Sequence, residues 1–189
     1  EFFLEDFENQ AAGWTVDNPD GNTTWILWNV GGTEGGAAAA GIDNYNYNAP
    51  GERDALISPL LDFNGRTNVI LDFDYAHRRY SQNEADSLVV YISSNGGASF
   101  SRIFQDAENG SGNFATNTTT QQQFIPSSID DWCFGGQVGS GCKTIDLSAY
   151  DGMSNIMLAF ENVAAYGNNT YLDNISLTSN CFIEAGAPT

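Results

Sequence analysis

The chain reads as an all-β protein, a two-sheet antiparallel β-sandwich. Three observations predict this. Short apolar segments of strand length recur with Gly, Pro, Asn and Asp turn signals between them; long helical periods are missing; Gly, Asn, Ser and Thr are abundant beside an ordinary apolar fraction of 41%. The 189 residues suit one domain with a sizeable core. That domain is expected over residues 1–178, with 179–189 as a linker or tail.

In chain order, the first strand is expected within residues 2–8, with Phe7 as its anchor and Asp6 and Glu8 flanking it on one face. Residues 13–16 start a second strand. Residues 17–22 (Asp-Asn-Pro-Asp-Gly-Asn) then form a turn. Its aspartates suggest a second calcium site, but their spacing does not match the EF-hand loop and an Asx-turn is preferred. Residues 24–28 form a strand, followed by a small-residue tract over 31–41 that suits close packing or a flexible edge. In the Asn-rich loop 43–51, Tyr45 and Tyr47 are either exposed stacking groups for a sugar or plain surface aromatics.

Residues 54–59 form a strand ending at Pro59. Over 68–76, Val69, Leu71, Phe73 and Tyr75 are expected inside, with Asp72 and Asp74 facing out. Residues 86–93 place Leu88, Val90 and Ile92 inside. Asn95-Gly96 turns that strand into 99–104, Asn-Gly being the strongest short hairpin signal. Residues 108–123 read as a long surface loop and 144–152 as a strand end and turn. Residues 155–161 form a core strand through Ile156, Leu158 and Phe160. The expected interior also includes Trp14, Leu56, Ile57 and Ile175.

The last strand, 171–177, carries the chemistry. Tyr171, Ile175 and Leu177 share one face, and Asp173 intrudes on it. A carboxylate among apolar side chains must be paired, ligated or neutralised, and no Lys or Arg lies nearby in sequence. The terminal strands are expected to meet, so that Asp6 and Glu8 join Asp173 around a shared cation. Hard oxygens with no soft ligand select Ca²⁺ over zinc, and Mg²⁺ tolerates so irregular a cage poorly. The competing reading has Asp173 capping backbone amides while Asp6 and Glu8 are solvated.

A net charge of −18, with six basic residues against 24 acidic ones, repels phosphate backbones and anionic membranes. No apolar run reaches membrane-spanning length. Nucleic-acid and membrane-inserting roles are therefore excluded. Cys133 and Cys142 bracket a flexible segment and are expected to form a disulfide worth about 2.5–3 kcal/mol, which implies an oxidising, secreted or extracellular setting. Cys181 is left over. Two cysteines and the single His77 do not supply a zinc site.

Catalysis finds little support. His77 is followed by Arg78 and Arg79, which disfavour an imidazolium, and there is no Gly-x-Ser-x-Gly elbow or His-Glu-x-x-His motif. The two arginines either pair locally with Glu84, Asp86 or Asp74, or contact an acidic ligand. Five Asn-x-Ser/Thr sequences, including those at Asn168 and Asn174, read as chance matches in an Asn- and Thr-rich chain.

The order of the motifs resembles the MAM domain and its bacterial relatives, the cleaved-adhesin and MAM-like jelly rolls. The matching pieces are Asp6-Phe7-Glu8 with Gly13-Trp14, Trp25, Leu56-Ile-Ser-Pro59, Leu71-Asp-Phe-Asp-Tyr75, Leu88-Val-Val-Tyr91 and Tyr171-Leu-Asp-Asn-Ile175. Ser94-Asn-Gly-Gly-Ala-Ser-Phe100 and Ile145-Asp-Leu-Ser-Ala-Tyr150 are similar to the version appended to secreted bacterial metallopeptidases. The animal cysteine pattern is absent, which favours the bacterial branch. The resemblance implies a jelly roll that serves as a non-catalytic binding or adhesion module of a larger secreted protein such as a protease. Its partners would be protein substrate, an extracellular surface or neighbouring domains, or glycan. It also implies a structural calcium near the terminal strands, held by Asp6, Glu8 and Asp173, with Asp54 as a further ligand. The rival is a jelly-roll glycosidase or lyase, or a carbohydrate-binding module.

Overall fold

The computed structural model describes residues 1–107, 114–133, 138–139 and 142–181. These residues form eleven strands in two antiparallel sheets, with short 3-10 turns and no α-helix. The strands are β1 (Phe3–Glu5), β2 (Thr15–Asp17), β3 (Ile26–Asn29), β4 (Ala38–Ile42), β5 (Arg53–Ile57), β6 (Arg66–His77), β7 (Ser87–Ser93), β8 (Ser101–Ala107), β9 (Lys143–Asp146), β10 (Met157–Val163) and β11 (Thr170–Cys181). One sheet runs β3-β4-β11-β6-β9 with β1 also paired to β11, and the other runs β2-β5-β10-β7-β8. This is the two-sheet jelly-roll sandwich. None of the described helices is long or apolar enough to cross a membrane.

Between the sheets lies a core of Phe7, Leu56, Leu71, Phe73, Leu88, Val90, Ile156, Leu158, Phe160, Ile175 and their neighbours. Two residues expected inside differ. Ile57 is half-buried because it follows Leu56 on the strand, and successive side chains take opposite faces. Trp14 is half-buried at the sandwich edge, against Phe3, Phe7 and Phe160. The small-residue tract contains β4. Its close packing is explicit at Gly41, where a Cβ would lie 2.6 Å from the Tyr171 ring and 2.8 Å from Trp28.

The terminal strands meet as expected, with Glu5 opposite Ile175 and Phe3 opposite Leu177. The central strand, however, is bulged. Asp173 pairs with Asp74, but the next pair is Ser176 with Asp72, so β11 spends one extra residue there, and Asn174 adopts φ 49°. The bulge resets the alternation. Leu172, Ile175 and Leu177 enter the core between the sheets, whereas Tyr171 and Asp173 lie on the opposite face. The expected grouping of Tyr171 and Asp173 with Ile175 and Leu177 is thereby corrected.

That opposite face is covered. Val30, Ala39, Ala76, Phe124, Trp132 and Tyr171 form a second apolar cluster over it. Tyr171 Oη donates to the Phe124 carbonyl at 2.9 Å, and Trp132 Nε1 to that of Gly31 at 2.7 Å. Asp72 and Asp74 are consequently buried, not solvated as the alternation alone suggested. The expected surface loop 108–123 is also revised over its described part. Phe114 is buried, stacked on Tyr75 and His77, and Thr116 is buried beside it; residues 108–113 lie outside the described residues. The last strand runs to Cys181, three residues past the expected domain end, and 182–189 lie outside the described residues.

Cys133 and Cys142 are disulfide-bonded, with Cα atoms 6.2 Å apart, and Cys181 is free and exposed. Thiol counting in denaturant is expected to find one free thiol without reductant and three with it. Reduction should lower stability by about 2–3 kcal/mol; three thiols without reductant would refute the bridge.

Candidate functional site

The site grows from the cross-strand pair Asp173 and Asp74. Directly opposed residues of an antiparallel pair share a face, so two carboxylates there repel. Asp173 is 2% exposed and Asp74 0%. Burial pushes the Asp173 carboxyl up to about 8; the Asn174 N–H donating to its Oδ1 at 2.8 Å opposes this, and the charges of Asp74, Glu8 and Asp6 add to it. Burial likewise raises Asp74 to about 6, although Asn174 Nδ2 and the Gly139 N–H each donate to its Oδ2 at 2.8 Å. Asp74 Oδ1 is buried and has no hydrogen-bond partner among the described residues. The structure thus brings Asp6, Glu8 and Asp173 into one electrostatic neighbourhood and adds Asp74, which the sequence reading had turned outward.

Convergence is incomplete. Among the described residues, the one group of three Asp, Glu, His or Cys side chains with ligating atoms within 4.8 Å of each other is Asp74, Cys133 and Cys142. Two of those are the disulfide, so no metal sits there. Glu8 is engaged elsewhere, its Oε1 accepting from the Ala37 and Ala38 N–H groups at 2.7 Å each. Asp6 Oδ1 accepts the Glu8 N–H at 3.2 Å in an Asx-turn. The donor chemistry fits a hard cation, because buried carboxylates with an orphaned oxygen and no soft ligand free to bind suit Ca²⁺.

Asp54 belongs elsewhere. It lies at the start of β5, in the other sheet, opposite Asn162. The charges acting on it are those of Asp20, Glu52 and Asp17, and burial is the main reason its carboxyl rises to about 6.

The remaining candidates sort by burial. His77 is fully buried, and its Nδ1 lies 3.1 Å from the Asn169 carbonyl. Burial lowers it to about 4, so it is neutral and sealed from substrate. Arg78 pairs with Asp131, a partner the sequence reading did not name. Arg79 is 8% exposed and donates to the Ser81 and Gln82 carbonyls. Both arginines are committed inward. Tyr47 is buried and donates to Asp20 Oδ2 at 2.6 Å, so it is no exposed stacking group. Asn168 and Asn174 are buried too, which leaves neither open to a glycan.

Tyr45 keeps an outward role. It lines a cleft of about 200 Å³ with Asn46, Tyr80, Tyr166 and Gly167. The Tyr45 and Tyr80 rings meet edge to face at 6.0 Å. Three separate loops supply the tyrosines. Asp86 holds the one that carries Tyr166, its carboxylate accepting from the Ala165, Gly167 and Asn168 N–H groups at 2.7, 3.3 and 2.7 Å. Tyr80, Tyr166 and Asp86 were not singled out from sequence as site residues. Isolated aromatics in polar loops carry no period that would mark them.

No protein-family model and no curated protein sequence matches the chain. Solved structures do. The K1 cleaved adhesin domain of Lys-gingipain from Porphyromonas gingivalis superposes with a TM-score of 0.62 at 20% identity, covering 94% of this chain and 98% of that one. The K2 cleaved adhesin domain of Lys-gingipain gives 0.58 at 25% identity, over 93% and 98%. A carbohydrate-binding module solved in complex with β-1,4-galactotriose gives 0.52 at 9% identity, over 93% and 94%.

Proposed function

We propose that the chain is a non-catalytic binding or adhesion module of a larger secreted protein, a MAM-like jelly roll of the cleaved-adhesin kind, with calcium as a structural ion at Asp6, Glu8, Asp74 and Asp173. The observation that carries this is the end-to-end likeness to the cleaved adhesin domains, whose lengths this chain nearly matches. The sealed, neutral His77 supports it by removing the one histidine a triad would use. Its contacts would be protein substrate, an extracellular surface or neighbouring domains, and not nucleic acid, which the net charge of −18 repels. Calcium would supply charge neutralisation between β6 and β11 and a clip from β1 to the centre of the sheet.

The tyrosine cleft favours a second reading, in which the ligand is a glycan. Aromatic faces with polar tips at the rim, beside an exposed Asn46, suit the apolar faces and hydroxyls of a sugar ring. Screening the chain on glycan arrays and on immobilised extracellular proteins is expected to show binding without turnover. Under the glycan reading, Tyr45→Ala and Tyr80→Ala each weaken saccharide affinity by up to about tenfold, 1.4 kcal/mol. Under the protein reading, saccharide binding is absent from the start. Turnover of a polysaccharide abolished by one carboxylate substitution would overturn both.

A further inference from the structure

The open edges of this fold are not alike. Among the described strands, β1, β3 and β9 of one sheet and β2 and β8 of the other pair on one side only. Such an edge offers free N–H and C=O groups to any passing strand, and folds blunt it with charge, proline or brevity. β9 carries Lys143 and Asp146, and β8 carries Arg102 and Asp106. β1 and β2 are three residues long and end in Glu5 and Asp17. β3 has no such charge. Neither a charged residue nor a proline lies between Asp20 and Glu34, and Ile26 and Leu27 are 56% and 40% exposed.

The backbone of β3 is aimed for pairing. The Val30 N–H donates to the Ala37 carbonyl at 2.8 Å, in the same register that sets Trp28 opposite Ala39 and Ile26 opposite Gly41. Antiparallel alternation then turns the N–H and C=O of Leu27 and Asn29 away from β4. A bridge between Gly31 and Ser127 closes the edge only beyond Val30. Beside the open part lies an apolar cleft of about 140 Å³, lined by Phe7, Trp14, Val16, Trp25, Leu27 and Leu56 among others. Leu27 is opposite Ala40 on the core side of the sheet, whereas Ile26 and Trp28 share the other side with Ala39. An added strand would place one side chain at the cleft and its two neighbours along Ile26 and Trp28.

Charge decides the occupant. Residues 1–52 hold nine acidic residues and no Lys, Arg or His. Four of the nine are exposed around this edge. Asp17 and Asp20 lie on the approach to β3, Glu34 lies in its turn to β4, and Glu8 accepts the Ala37 and Ala38 N–H groups where β4 begins. A second copy of the chain would bring the same carboxylates against these, whereas a basic partner is drawn to them. We propose that β3 is a docking edge on which an extended segment of a protein partner pairs as an added strand, through a short apolar run flanked by Lys or Arg. Main-chain bonds to Leu27 and Asn29 would hold the segment, and the cleft and the carboxylates would select it. The proposal rests on the protein-binding reading and uses neither the tyrosine cleft nor calcium.

Panning a library of random peptides of about twelve residues, long enough for an edge strand and its flanks, on the whole chain makes the test. The selected peptides are expected to share an apolar run with Lys or Arg beside it, and to bind more weakly as salt rises. Ile26→Lys sets a like charge in the exposed edge. Asn29→Pro deletes an outward N–H and spares the ladder to β4. Each should weaken the peptides by about tenfold or more at an unchanged melting temperature. Tyr45→Ala should leave them bound, which separates this edge from the saccharide reading. Should Asn29→Pro fail to fold, Ile26→Lys decides alone. Peptides with no common basic flank, or held equally well by the Ile26→Lys chain, overturn the proposal even where immobilised extracellular proteins still bind. Self-association that Ile26→Lys abolishes, with no peptide selected, gives the edge to a second copy and overturns it too.

Discussion

Asp86→Ala is expected to destabilise the protein by about 3–5 kcal/mol and, under the glycan reading, to remove saccharide binding at the tyrosine cleft. Asp86 is 1% exposed, and it satisfies three N–H groups of the β10–β11 connection. Stranding a buried donor costs about 1–3 kcal/mol, so two strong bonds and one weaker one reach the stated range. The packing is tight as well as polar, since a Cβ on Gly167 would lie 2.1 Å from Asp86 Oδ2. Without the carboxylate, the loop loses what fixes Tyr166 against Tyr45 and Tyr80. Asp86→Asn keeps one acceptor oxygen and should cost less. Urea denaturation at pH 7 measures both variants. A loss under about 1 kcal/mol for Asp86→Ala would mean that packing, not this carboxylate, holds the loop.

How far the sequence reveals all this depends on which physical signal a residue leaves. Period-two alternation exposes β6, β7 and β10 because runs of Val, Leu, Ile and Phe at every second position mark their core faces. It misleads at β11, where one residue at positive φ, Asn174, reverses the faces of what precedes it. Asn tolerates that conformation, but a lone Asn in a strand does not announce it. Alternation also says that Asp74 is opposite the core, without saying whether a second layer covers it. That layer comes from Phe124 and Trp132, aromatics just past the expected loop 108–123, where no alternation marks a strand. Asp86 is invisible for another reason: its N–H partners lie 79 to 82 residues away. The pairing of the terminal strands was legible, and through it the charges of Asp6 and Glu8 act on Asp173, but Glu8 is held by the Ala37 and Ala38 N–H groups and the three carboxylates do not converge.

Calcium should matter most at alkaline pH, and the sign follows from Asp173. Its carboxyl is raised from 3.8 to about 8 in the folded chain, so the folded metal-free state holds a proton that the unfolded state has released. The resulting stability is complete below pH 4 and is lost as pH rises through 8, at about 1.4 kcal/mol per pH unit while the two states differ by a full proton. Asp54, Asp74 and Asp86, each raised to about 6 chiefly by burial, add to the decline between pH 4 and 6. A calcium at the proposed site would bind the ionised form and displace the Asp173 proton, so its affinity would rise with pH. Metal-free protein is therefore expected to melt progressively lower from pH 5 to pH 8. Free calcium at about 100 times its dissociation constant restores roughly 2.7 kcal/mol. Asp173→Asn removes the charge while keeping the shape. It should flatten the metal-free pH dependence by the Asp173 share and abolish the calcium response. Scanning calorimetry of the two proteins at pH 5, 6.5 and 8, with calcium and with chelator, makes the measurement. If the melting temperature at pH 8 is indifferent to chelator and the purified protein carries no metal, Asp173 does no more than cap the Asn174 N–H.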